Sequence, residues 1–157
     1  MRRFFILVSF LLVMALGSTG CDSNTSASPI APAEVTLGLA DLAEILFARG
    51  IPIDIGDIEV FDFLPARARH FNVSGEDVLV FEFSGQPVTE SVASTISADG
   101  TTINGQVIDW PATPHFFTSG RLIVLYLGDN PQVILGLQEI MGPQFAGGEL
   151  GFTVQEN

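Results

Sequence analysis

Lysine is absent from this chain of 157 residues, and its six basic residues are all arginine. Cysteine, tryptophan and tyrosine occur once each, and histidine twice. Each scarcity excludes something. One cysteine cannot form an intrachain disulfide. Without lysine there is no phosphate-cradling loop of the kind that ends in Gly-Lys-Ser/Thr. Two histidines far apart in the chain, with one cysteine, fall short of the three or four ligands a zinc site needs. No Gly-x-Ser-x-Gly nucleophile elbow occurs. The arginines face 18 acidic residues, and the net charge is -12. Such a chain repels phosphate backbones, which excludes general nucleic-acid binding. It also repels anionic lipid, so charge supplies no membrane-binding patch.

What is present first is an address. Arg2 and Arg3 precede an apolar run from Phe4 to Leu16, which only Ser9 interrupts. Gly17, Ser18, Thr19 and Gly20 are small, and Cys21 follows. A positive start, a short apolar run and small residues before a cleavage point are the layout of a secretory signal peptide. A helix of about 13 residues is roughly 20 Å long, short of the ~30 Å hydrocarbon core of a bilayer. Gly20-Cys21 resembles the lipobox of bacterial lipoproteins, although Ser18 stands where that motif usually carries leucine. The resemblance implies cleavage before Cys21, a diacylglyceryl group on its thiol and often an acylated amine. Two or three acyl chains anchor stably, whereas one is marginal, since each buried CH₂ contributes ~0.8 kcal/mol. Removal of residues 1–20 leaves four arginines against the same 18 acids.

Residues 21–33 then read as the lipidated cysteine and a flexible tether. Asp22 to Ala33 is small, polar and proline-containing, with too little apolar surface to fold. As a coil of about 12 residues it spans roughly 20 Å. Regular patterns occupy 34–147, a length sufficient for one core. Residues 148–157 read as a flexible C-terminal tail, in which Phe152 and Val154 offer an edge strand.

Within that domain, Thr36 is expected to cap a helix reaching Ala48. Leu39, Leu42, Ala43 and Leu46 give it a 3.6-residue apolar stripe, and Gly50 ends it. Ile53 to Phe63 reads as a strand with a bulge at Gly56. Arg67 to Val73 and Asp77 to Phe83 flank a turn at Ser74-Gly75-Glu76. Pro87 fits the first position of a second helix with Val88, Val92 and Ile96 on one side. Thr101 to Trp110 reads as a strand. His115-Phe116-Phe117 and Leu122 to Leu127 flank a hairpin turn with Gly120 in the left-handed place. The unbroken run Leu122–Leu127 predicts a central strand covered on both faces. Asn130 and Pro131 open a third helix with Val133, Ile134, Leu137, Ile140 and Met141 inward, and Gly142-Pro143 closes it. The order is α-β-β-β-α-β-β-β-α. It predicts an α+β single domain with a mainly antiparallel sheet packed against about three helices.

Chemistry-bearing residues are few. His70 reads as a surface strand residue, and Arg67 and Arg69 share one strand face. Asp54, Asp57, Glu59 and Asp62 have the spacing of a solvated sheet face rather than an EF-hand. His115 reads as a structural histidine whose ring bonds a backbone carbonyl. The densest unusual segment is Trp110-Pro111-Ala112-Thr113-Pro114-His115-Phe116-Phe117, with Arg121 and Tyr126 nearby. Core packing is its simplest reading. As a site it would be an aromatic-lined groove, with Trp110, His115, Phe117 and Arg121 as the ligand-binding candidates. That segment, with GRLIVLYLG and GPQFAGG, resembles a group of small exported bacterial lipoproteins. The resemblance implies the address and the extent of the domain, and no activity.

Three function classes are compatible. A surface-tethered binding module for an unidentified envelope protein or small ligand is favoured. A structural partner in an envelope complex comes next, and a small envelope hydrolase last. No catalytic residue, metal or cofactor is implied. The partner that the residues do imply is the membrane, through Cys21, on the exported side of a bacterial cell. Without a disulfide or a metal-ligand set, the domain is expected to melt in one cooperative transition that chelator and reductant leave in place. A fall in the midpoint on adding chelator would instead mark the acidic cluster as a Ca²⁺ site.

Overall fold

A computed structural model of the chain describes residues 36–148, which belong to a compact unit from Glu34 to Asn157. The expected signal peptide, Cys21, the expected tether and the residues from 149 on, with the edge strand expected at Phe152 and Val154, lie outside the described residues. The elements are α1 (Leu39–Ala48), β1 (Ile53–Val60), β2 (Arg67–Val73), β3 (Glu76–Glu82), α2 (Gln86–Ala93), β4 (Thr102–Ile103), β5 (Gln106–Val107), β6 (Pro114–Ser119), β7 (Leu122–Leu127), α3 (Pro131–Met141) and β8 (Ala146–Gly147). Six strands form one sheet in the order β1-β2-β3-β7-β6-β8, and every neighbouring pair is antiparallel. The fold is thus α+β with an antiparallel sheet and three helices. Among the described residues no helix is long and apolar enough to cross a membrane.

The central position of β7 follows from its side chains. Leu122 to Tyr126 are all buried, so both faces of the strand need cover. On one face Val78, Val80, Phe117, Val124 and Tyr126 pack with Leu42 and Leu46 of α1 and with Val133, Ile134, Leu137 and Met141 of α3. On the other, Leu79, Phe81, Phe116, Ile123 and Leu125 pack with Leu64, Ile96 and Ile103. Partly buried Phe61, Phe63, Val92 and Trp110 close that second layer.

Local chemistry places the element ends. The α1 stripe is as expected, but the cap is Gly38 rather than Thr36, because the Gly38 N–H donates to Asp41 Oδ2 at 2.8 Å. That bond is one half of a capping box. The Asn130 side chain caps α3 by accepting from the Gln132 N–H at 3.0 Å. In α2, Gly85 is the cap and Pro87 the second helical residue. The apolar stripe expected there does not hold: Val88 is exposed, Thr89 is buried, and Ile96 lies beyond the helix in a bridge to Ile103. A hydroxyl takes the inward place because Thr89 Oγ1 donates to the Gly85 carbonyl at 3.2 Å.

Two strands are shorter than their apolar content suggests. β1 stops at Val60, and Phe61 and Phe63 join the second core layer instead. The expected strand from Thr101 to Trp110 is a small hairpin of β4 and β5. Asn104 and Gly105 turn it with φ 49° and 77°, the left-handed pair that Asn-Gly supplies between two strands. After α3, Ala146–Gly147 pairs with β6. Gly148, expected as the first tail residue, is held too, since its N–H donates to Pro114 O at 2.9 Å.

The segment before α1 is tied to the β6–β7 turn: Arg121 N donates to Leu37 O at 2.9 Å. A Cβ on Gly120 would lie 2.6 Å from the Leu37 backbone, so glycine is required there by close approach as well as by its φ of 57°. Val124 lies at the middle of the sheet with no exposed surface. Val124→Asp is expected to abolish the folding transition, because an unpaired core charge costs several kcal/mol against a total of ~5–15 kcal/mol. Circular dichroism of the purified variant checks this.

Candidate functional site

The sheet separates the four binding candidates. Trp110 lies on the α2 face, half-buried, with its Nε1 donating to Gly100 O at 2.7 Å. Its ring meets Phe63 edge-on at 5.2 Å and Phe116 at 6.0 Å. Phe117 lies on the opposite face, fully inside the core. His115 is opposite Tyr126 in the β6–β7 register, on that same face, and stacks on its ring at 6.1 Å. Arg121 sits in the β6–β7 turn, and its Nη2 pairs with Glu82 Oε1 at 2.7 Å. Residues 115–117 alternate across the sheet, so Trp110, His115, Phe117 and Arg121 line no common groove.

His115 is structural in a different way from that expected. Its Nδ1 is 2.7 Å from Gln144 Oε1, a side-chain rather than a backbone carbonyl. A carbonyl oxygen accepts, so Nδ1 is the donor. The amide nitrogen of Gln144 in turn donates to Gly148 O at 2.7 Å, which holds the segment after α3 against β6. The buried Nε2 has no partner among the described residues.

The polar groups that do converge lie at the β1–β2–β3 end of the sheet, where the helices give less cover. The cause is the bulge in β1, where the register shifts between Ile55 and Ile58. Strict alternation would put Ile55, Asp57 and Glu59 on one face. The extra residue instead puts Ile53, Ile55, Ile58 and Val60 on the α1 face, opposite Val73, Phe71, Arg69 and Arg67. Asp54 and Glu59 go to the other face, as do His70 and Asp77 by the β2–β3 register. Gly56 accommodates the bulge against His70, since a Cβ there would lie 3.2 Å from His70 Cβ.

On the acidic side His70 joins three strands. Its Nε2 is 2.9 Å from Glu59 Oε2, and its Nδ1 is 3.0 Å from both oxygens of Asp77. Carboxylates only accept, so both bonds form together when the ring carries two N–H groups. Desolvation alone would lower the pKa of His70. The hydrogen bonds and charges of Asp77 and Glu59 outweigh it, and the value is raised above the ordinary 6.5. Sequence alone marked His70 as a surface residue. Nothing in residue spacing indicates that the bulge brings Glu59 to it.

On the α1 side the same bulge leaves a groove of about 330 Å³ lined by Leu39, Ile58, Arg67, Ala68, Arg69 and Glu82. Arg69 Nη1 donates to Gly56 O at 3.2 Å, a backbone carbonyl of the bulge. Among the described residues neither Arg67 nor Arg69 pairs with a carboxylate. Glu82, beside them, is already engaged by Arg121 and by the Leu39 N–H, which donates to Oε1 at 3.1 Å. A second pocket of about 280 Å³ lies on the α2 face, between the β1–β2 connection, α2 and Asn104. It has an apolar floor at Phe63, Leu64 and Val92. Among the described residues no three His, Cys, Asp or Glu side chains are grouped to hold a metal ion.

These features define an α+β domain whose antiparallel sheet is covered on both faces and carries its polar groups at one end. No family model matches the chain, and neither a curated protein nor a solved structure matches it.

The His70 network makes stability depend on pH. A histidine whose pKa is raised on folding contributes stability fully below its unfolded value of 6.5. That contribution is lost as pH rises through the higher folded-state value. The melting midpoint is therefore expected to fall more steeply in the native chain than in His70→Gln as pH rises above about 6.5. Parallel curves for the two proteins would show that the network is not linked to folding.

Proposed function

We propose that the chain is an exported bacterial lipoprotein, anchored through acylated Cys21, whose α+β domain is a binding module. Two arginines, Arg67 and Arg69, that have no carboxylate partner among the described residues and share one strand face in a groove carry the binding part of this reading. In a chain with 18 acidic residues and six arginines, unpaired cations are the scarce group. Among the described residues they have no carboxylate partner, and the bulge sends Asp54 and Glu59 of β1 to the other face. The groove volume of about 330 Å³ is within the range of small-ligand pockets. The anchoring part rests on Arg2-Arg3, the short apolar run and Gly20-Cys21.

Cells fed an alkyne-tagged fatty acid are expected to label the native protein in the membrane fraction. Cys21→Ser is expected to lose the label and to leave that fraction or remain uncleaved. A mature native protein whose intact mass shows no acyl chains would overturn the anchor. The binding part is tested separately, by amide-resonance NMR of the chain against a panel of small anions and neutral amphiphiles. It fails when no member of the panel gives a saturable shift at the groove.

A further inference from the structure

We propose that the Arg67–Arg69 groove takes the carboxylate of a short, apolar monoacid. This rests on the binding-module reading and names the ligand class of that site. The groove has two chemistries on one floor. Leu39 and Ile58 supply an apolar wall, and Ile58 is 49 % exposed, so a ligand chain would cover surface that the fold leaves in water. Val60, opposite Arg67 in the register and 67 % exposed, extends that surface along β1. Arg67 and Arg69 stand two residues apart on the same strand face; Arg67 presents a planar fork of donors that matches a carboxylate, and Arg69, whose Nη1 donates to the Gly56 carbonyl, adds a second positive charge beside it.

The charge arrangement selects a single negative charge. The β2–β3 register, with Ala68 opposite Phe81, brings Arg67 level with Glu82. That acid is held by Arg121 at 2.7 Å and by the Leu39 N–H at 3.1 Å, so it does not neutralise Arg67. It nevertheless lines the groove, and a dianion would meet more repulsion from it than a monoanion. Size agrees with a short chain. At ~30 Å³ per water-sized group, the groove has room for on the order of ten heavy atoms.

The edge of β1 itself is a poorer docking surface. Its bulge and its acidic Asp54, Asp57 and Glu59 are the devices that keep a sheet edge from pairing with another strand. The exposed isoleucines are therefore read as the wall of a small-molecule groove.

The test uses the full chain in nanodiscs of zwitterionic phosphatidylcholine, which has no net charge, with hexanoate as the probe. Hexanamide keeps the chain without the charge, and acetate keeps the charge without the chain. Hexanoate is expected to give saturable amide shifts at Leu39, Ile58 and Arg69. Hexanamide and acetate are each expected to bind about ten-fold more weakly or worse, as is hexanoate to Arg67→Gln. Ile58→Asp, a change at an exposed position, is expected to abolish binding while the melting midpoint stays in place. Equal affinity for hexanamide and hexanoate would overturn the carboxylate and leave a binding module. Unchanged affinity in Arg67→Gln would overturn the site, and no shift from any of the three probes would overturn the proposal.

Discussion

The antiparallel pairing of β3 with β7 is the constraint on which the rest depends. Val78 to Phe81 and Leu122 to Tyr126 are buried on both sides of the sheet, so a layer of side chains must cover each face. Each large side chain so buried contributes on the order of 1.5–3 kcal/mol, and none of that is realised on a bare face. The two covers differ because the covering segments differ. Helices α1 and α3 present continuous apolar stripes and cover one face as rods. Short α2, the β4–β5 hairpin and the β1–β2 connection cover the other with rings, where Phe61, Phe63, Phe81, Trp110 and Phe116 meet at centroid distances of 5.1 to 6.1 Å.

With the middle of the sheet dry on both sides, polar function is displaced to its margins. The margin at β1 is then divided by one inserted residue. The bulge sends apolar side chains and the two β2 arginines to the α1 face, and sends Glu59 to meet His70 and Asp77 on the other. A pH-sensitive clasp and a cationic groove thus arise back to back from a single irregularity. Each of the four arginines of the domain has a distinct use. Arg49 joins α1 to α3 through Glu139 at 3.1 Å, Arg121 ties the β6–β7 turn to Glu82, Arg69 braces the bulge, and Arg67 has no carboxylate partner among the described residues. In so acidic a chain that last outcome requires geometry, since nearby acids must either point away or already be paired.

Much of the fold was legible from local pattern. The stripe of α1, the Asn130-Pro131 start and Gly142 end of α3, the unalternating run of β7 and the bulge at Gly56 each have a short-range cause. The failures share a cause as well. Val88, Ile96 and the run from Thr101 to Trp110 were assigned by apolar content, and tertiary packing decided them otherwise. The Asn104-Gly105 dipeptide within that run is itself a hairpin signal, and the turn it forms divides the run into β4 and β5.

What the sequence by itself determined is the class of the fold, the central place of Leu122–Leu127 and the N-terminal features that imply an address. These depend on periodicity, composition and turn chemistry within a few residues. What only the tertiary structure decided is which chemistry-bearing residues meet. Trp110 and His115 are five positions apart and lie on opposite faces of a sheet, whereas Glu59, His70 and Asp77 come from three strands and share a proton-sensitive contact. Strand register sets such meetings, and register is the sum of pairings along whole strands. A single bulge shifts every later side chain to the other face, and no local pattern of residues records which strand will lie alongside.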